Sequence, residues 1–294
     1  MRLRIKKGYV KRLIFKGLLL FIVGLFGCGE IPIVEVPETN ETIYTSVHSL
    51  SEVLSTFDVI QDLALNPDIF NGNHNSLLPS TVLVLFSDTS FTDGDGMDFI
   101  LDFGDLGLEP HGVLCKDQKY RAGKIALHLS KPYNANDAKL SVNFVEESPY
   151  YTGDGEHMSK FEGGLSLTRV SDIEVLMHCA NLKFTDDDVV NSIETMMSIV
   201  DVETGGKGLI DNILGFDGAM TISDGNSSTT LSTNTPLQKK YTLECAKHIV
   251  KGELDVNSSK SISEVHIDFD PDRDEACDNR IKLTVNGKSI YYDY

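Results

Sequence analysis

Two hydrophobic periodicities divide the chain. Ile43, Val47, Leu50, Val53, Leu54, Phe57, Ile60 and Leu63 recur at three- and four-residue steps, which predicts a helix over 41–66 with Asn40 as N-cap and Pro67 as its stop. The turn-rich stretch Asn66–Ser80 closes that segment. From Thr81 onward the apolar residues come in short runs or alternate. Thr81–Phe86, Phe99–Phe103, Lys124–Leu129 and Leu140–Val145 are separated by Gly, Pro or Asn and predict strands. Near the end, Ile281, Leu283 and Val285 alternate into Asn286-Gly287, a two-residue hairpin turn, and then Lys288–Tyr292. One interruption is expected. Thr185-Asp186-Asp187-Asp188 has the form of a capping box, and Val189, Ile193, Met196 and Val200 follow at helical spacing, which predicts a short helix over 187–199.

These elements predict a mainly β chain, antiparallel and sandwich-like, with an N-terminal α-helix and one short internal helix. Residues 80–184 form a first β unit, and 185–294 hold the short helix and a second. A sequence echo supports two related units. Ile100-Leu101-Asp102-Phe103 leads to Cys115 and then Lys124-Ile125, while His266-Ile267-Asp268-Phe269 leads to Cys277 and then Ile281-Lys282.

The N-terminus has a different character. Seven basic residues lie between Arg2 and Lys16, no acidic residue precedes Glu30, and an apolar run from Gly17 to Phe26 ends in Leu25-Phe26-Gly27-Cys28. A basic region, a short apolar core and a small residue before the cut define a secretion signal over 1–27. The Cys at the cut makes it a lipobox, with Cys28 as the lipidated first residue of the mature protein. The run is about half the ~20 residues needed to span a bilayer. Residues 28–40, with two prolines, read as a tether. The expected location is the cell envelope, at the outer membrane because Gly29 and not Asp follows Cys28. The expected membrane contact is the lipid on Cys28.

Charge then excludes one class of partner. The chain carries 26 basic and 44 acidic side chains; without residues 1–27, 19 basic face 44 acidic ones, a net −25. Such a surface repels phosphate backbones, so nucleic acid is not expected as a partner. Besides Cys28 there are Cys115, Cys179, Cys245 and Cys277. In an exported chain these suggest two disulfides, with three connectivities open. None sits in a CxxC pair.

The same segments carry a family resemblance. In order they are Leu101-Asp102-Phe103-Gly104, Arg121-Ala122-Gly123-Lys124-Ile125, Pro236-Leu237-Gln238-Lys239 before Cys245, Cys277-Asp278-Asn279 and Val285-Asn286-Gly287-Lys288. With the lipobox Cys and the helix, this order resembles a group of uncharacterised Bacteroidota envelope lipoproteins. Ser80-Thr81 stands where that family often has a Cys, and Asp268-Phe269-Asp270 replaces its Asp-aromatic-Gly. The resemblance implies fold, location and a Cys245–Cys277 bridge, which leaves Cys115 with Cys179. It implies no activity.

Candidate chemistry is sparse. The densest acidic run holds Asp268, Asp270, Asp272 and Asp274, alternating carboxylates of the kind a hard Ca²⁺ takes. The EF-hand pattern fails there, because Arg273 stands at the sixth position and Asn279 at the twelfth. A second acidic stretch, Asp93-Gly94-Asp95-Gly96-Met97-Asp98, has Met where a third ligand would fall. Ca²⁺ at either loop is optional, and no cofactor is required. There is no HExxH and no G-x-S-x-G. His178 and Cys179 are adjacent on a strand, so they face opposite sides. The chain has no Trp; Tyr150-Tyr151, Tyr291-Tyr292 and Tyr294 read as strand packing. The expectation is a non-enzymatic lipoprotein, structural or ligand-binding. The alternative is a carboxylate-based glycosidase or other carbohydrate-active envelope enzyme, which a deep cleft with facing carboxylates would favour.

Overall fold

The computed structural model describes residues 38–65, 76–88, 91–205, 208–260 and 263–293. The signal, Cys28 and the tether up to residue 37 lie outside the described residues. Among the described residues one helix, α1 (Glu38–Leu65), precedes seventeen strands. They are β1 (Leu83–Phe86), β2 (Met97–Asp102), β3 (Val113–Leu114), β4 (Tyr120–Ala122), β5 (Lys124–Leu129) and β6 (Lys139–Phe144). Next come β7 (Tyr150–Gly153), β8 (Met158–Glu162), β9 (Gly164–Arg169), β10 (Glu174–Asp186), β11 (Val189–Glu203) and β12 (Ile213–Ser223). The last are β13 (Ser228–Lys240), β14 (Lys251–Ser258), β15 (Val265–Asp268), β16 (Arg280–Val285) and β17 (Lys288–Asp293). Among the described residues no helix is long and apolar enough to cross a membrane.

Every pairing is antiparallel. The main sheet runs β1, β2, β5, β6, β9, β10 and then in chain order to β17. A branch of β3, β4, β7 and β8 joins it at the far half of β10. Thus β10 pairs with β9 through His178 and with β8 from Lys183, and its bulge between Cys179 and Leu182 marks the switch of partner. Gly163, at φ +86°, makes the corner between β8 and β9; a Cβ there would meet the carbonyl oxygen of Asn181 at 2.6 Å. No pairing joins β1 to β17 among the described residues, so the sheet is open.

The mainly β, antiparallel architecture with an N-terminal helix is as expected, but the helix sits differently. An amphipathic helix lying on a sheet would keep its polar face in water. Here Leu50, Val53, Leu54, Phe57, Val59, Ile60 and Leu63 are buried, and so are Ser49, Glu52, Ser55, Thr56, Asp58, Gln61 and Asp62. From Glu52 to Leu63 every residue of α1 is buried, so this part of the helix has no solvated face and the surrounding strands cover it all round. Buried polar groups then need partners. Asp58 pairs with Lys239 and accepts the Tyr241 hydroxyl. Arg121 donates to both Asp117 oxygens and to Ser55, and Leu77 N donates to Asp62 at 2.8 Å. Phe57 packs edge-on against Phe216, and Tyr150 sits among Phe103, Phe144 and Phe161.

Two expectations are corrected. The segment 187–199 is strand β11 and not a helix. Asp187 and Asp188, at φ 43° and 68°, form the two-residue turn of the β10–β11 hairpin, with Asp186 opposite Val189. The buried set is Asn191, Ile193, Thr195, Met197 and Ile199, a strict period of two. Cys115 and Cys179 are both buried and free, each with its thiol turned to a local carbonyl, Val113 O and Ile193 O respectively. Cys245 and Cys277 are bridged, with 4.9 Å between their Cα atoms. Asn286 and Gly287, both at positive φ, form the final turn between Val285 and Lys288.

Candidate functional site

The N-terminal half of α1 emerges from the sheet far enough to form one side of a cleft of about 570 Å³. Tyr44, His48 and Glu52 lie on one helical face at four-residue steps and all line it. Gln118 and Lys119 come from the β3–β4 turn, Asp154 and His157 from the β7–β8 turn, and Asp186 and Asp187 from the end of β10 and its turn. Lys247 and Asn279 complete it from beside the disulfide.

At its centre is His48. Its ring lies parallel to the exposed Tyr44 ring at 6.2 Å and edge-on to Phe184 at 5.9 Å. Its Nε2 stands 3.7 Å from Asp186 Oδ2 and 3.4 Å from Ser159 Oγ, while Ser159 donates to Asp186 Oδ1 at 2.9 Å. This is not a nucleophilic triad. The serine proton goes to the carboxylate directly, and one imidazole nitrogen faces both groups, so no carboxylate orients the other nitrogen. What remains is an imidazole–carboxylate pair at a cleft wall, with Ser159 fixing the carboxylate.

The second carboxylate is in a different environment. Glu52 is fully buried, which by itself opposes its ionisation. The Lys119 ammonium, His48 and hydrogen bonds from Lys119 and Thr152 outweigh that and hold its carboxyl below the ordinary value. Glu52 is therefore a fixed negative charge, while Asp186 is partly open to the cleft. Two carboxylates in contrasting settings beside one imidazole are an arrangement suited to acid–base chemistry.

A second concentration of acid lies elsewhere. Asp88, Asp93 and Asp95 each bring one oxygen to within 4.8 Å of the others. The hydrogen bond that a protonated Asp95 donates to Asp93, and the Asp93 charge, raise the Asp95 carboxyl above its ordinary value. The third member is Asp88 and not Asp98, whose carboxylate meets His128 Nδ1 at 2.8 Å. These three converge, while the run at 268–274 does not. Asp268 accepts the Asp270 amide, Asp270 those of Asp274 and Glu275, and Asp274 that of Ala276; Asp272 binds Arg280. Backbone amides and arginine take up the oxygens a cation would need. Asp268 ends β15 and Pro271 lies past it, so Asp270, Asp272 and Asp274 fan around the loop that follows.

The expectation of a non-enzymatic chain is overturned by these findings. A compact carboxylate triad and an aromatic-walled polar cleft with an imidazole–carboxylate pair provide the groups that catalysis needs. His178 is exposed and Cys179 buried, so that pair does not meet. Tyr150 is core and Tyr291 stacks under Arg280 at 5.0 Å, whereas Tyr44, the aromatic that lines the cleft, was hidden in the helix pattern. Compared with known proteins, the chain matches no protein-family model, no curated protein and no solved structure.

Proposed function

We propose that this is a carbohydrate-active envelope protein, tethered to the outer membrane through a lipid on Cys28, with its site in the cleft along the first turns of α1. The observation that carries the reading is the cluster of Tyr44, His48, Glu52 and Asp186 in one concave polar surface. An exposed tyrosine ring offers a flat apolar face to a sugar ring. The surrounding carboxylates, amides and hydroxyls offer the directional hydrogen bonds that sugar hydroxyls require.

In this reading the Asp186–His48 pair moves the proton at a glycosidic oxygen. Asp186 is held by Ser159 and faces the cleft 3.7 Å from His48 Nε2, so both groups stand within reach of a bound glycosidic oxygen. Glu52 is fully enclosed and its charge is matched by the more exposed Lys119, so the pair supports the cleft wall from behind and Glu52 does not act as a proton donor.

The test is a panel of neutral and acidic oligosaccharides offered to the mature chain, with binding followed calorimetrically and cleavage by new reducing ends. Asp186→Asn should abolish cleavage while leaving binding within about threefold, and Tyr44→Ala should weaken binding. Cleavage that survives unchanged in Asp186→Asn would overturn the assignment.

A further inference from the structure

Resting on the reading of the cleft as a glycan site, we infer that its wall of Gln118, Lys247 and Asn279 is a subsite for an anionic substituent on the sugar chain. The lining groups of the cleft are segregated by element. The β7–β8 and β10–β11 turns supply the carboxylates Asp154, Asp186 and Asp187. The segments beside the disulfide contribute the Lys247 ammonium and the Asn279 amide to the lining, and the β3–β4 turn adds the Gln118 amide. An anionic group is repelled by the carboxylates and attracted by the ammonium, so the charge pattern favours one placement of an acidic sugar over the others.

Lys247 is what makes this wall attractive. Lys119, the other lysine of the cleft, is committed to Glu52. Lys247 is half-buried and has no ion-pair or hydrogen-bond partner among the described residues. An ammonium that is partly desolvated without a carboxylate is ready to take one from a ligand, and a charge-assisted hydrogen bond is about twice as strong as a neutral one.

The wall is also pre-built. The Cys245–Cys277 bridge joins the turn that carries Lys247 to the loop that carries Asn279. Gln118 Nε2 donates to Leu243 O at 3.2 Å, tying the β3–β4 turn to the same place. Within the turn, His248 N donates to Cys245 O at 2.8 Å. Three segments distant in sequence are thus fastened before a ligand arrives, which lowers the ordering cost of binding.

The test compares three tetramers of galactose-type sugars on the mature, oxidised chain: a neutral one, one of galacturonic acid and a sulfated one. The galacturonate should bind about tenfold tighter than the neutral tetramer, the size of one charged hydrogen bond. Lys247→Gln should bring the ratio of acidic to neutral affinity down to about one, and Lys247→Arg should keep it near tenfold. A sulfated tetramer that shares the preference assigns the subsite to anions in general; one that does not assigns it to carboxylates. Equal affinity for neutral and acidic tetramers, unmoved by Lys247→Gln, would overturn the subsite and leave the glycan reading standing. Failure of all three to bind would overturn the glycan reading, and this subsite with it.

Discussion

Replacing Lys239 by Met probes the enclosure of α1 most sharply. Lys239 on β13 pairs with Asp58 on the helix across 181 residues of sequence, and their side chains are 2% and 0% exposed. Methionine fills similar space but leaves a carboxylate in the interior with the Tyr241 hydroxyl as its remaining partner. Breaking a buried pair from one side costs about 3–5 kcal/mol, because the surviving charge is uncompensated. The loss should depend on pH. Burial already raises the Asp58 carboxyl above its ordinary value despite Lys239 and Tyr241, and removing Lys239 raises it further. A carboxyl whose folded-state value lies above its unfolded one binds more protons when folded. Its stabilisation is therefore present below the unfolded value and lost as pH rises through the folded one. The defect should be smallest near pH 4 and grow toward neutrality. Adding Asp58→Asn should recover most of it. Urea denaturation followed by circular dichroism reads this as a shift in midpoint at unchanged slope. A loss within about 0.5 kcal/mol at pH 7, the size typical of a surface change, would show that Lys239 is not enclosed with the helix.

Other outcomes follow from single features. Gly123→Ala should destabilise far more than Gly104→Ala. Both have φ near +80°, but a Cβ at 123 would lie 1.8 Å from Pro149 O, whereas at 104 nothing lies within 4 Å; the control should lose about 1 kcal/mol and the first variant clearly more by the same urea assay. Removing the bridge with Cys245→Ala and Cys277→Ala should cost about 3–4 kcal/mol from the 32-residue loop it closes. In the native protein Cys115 and Cys179 should not react with a thiol reagent, and both should react in denaturant, since burial also pushes the Cys179 thiol up to about 11. Cys28→Ala should abolish fatty-acid labelling and release the chain from membranes; normal labelling in that variant would refute the lipobox.

The sequence made some elements plain and hid others for physical reasons. The spacing of Val47, Leu50, Leu54 and Phe57 marks α1 because one face of any core helix must be apolar. Nothing in that pattern marks Glu52, Asp58 and Asp62 as buried, because no local signal says that strands close over them. Asn286-Gly287 announces its hairpin because positive φ favours those residues. Asp187-Asp188 makes an equivalent turn with residues that equally suit a helix N-terminus, so β11 passed for a helix until its period of two was seen in burial. The cleft had no contiguous signature. Its groups come from the helix, three turns and a disulfide-pinned loop, and the topology of the branched sheet brings them together. The acidic triad was half legible: Asp93 and Asp95 stood out, but Asp88 joins them only in space, where its amide donates to Asp98 O.

The most direct measurement for the central claim is a crystal structure of the mature Asp186→Asn chain soaked with an oligosaccharide that the wild type binds. The account predicts a sugar ring stacked on Tyr44, with a glycosidic oxygen within hydrogen-bond reach of residue 186 and His48. A sugar bound away from this cleft, with Tyr44 uncovered, would contradict it.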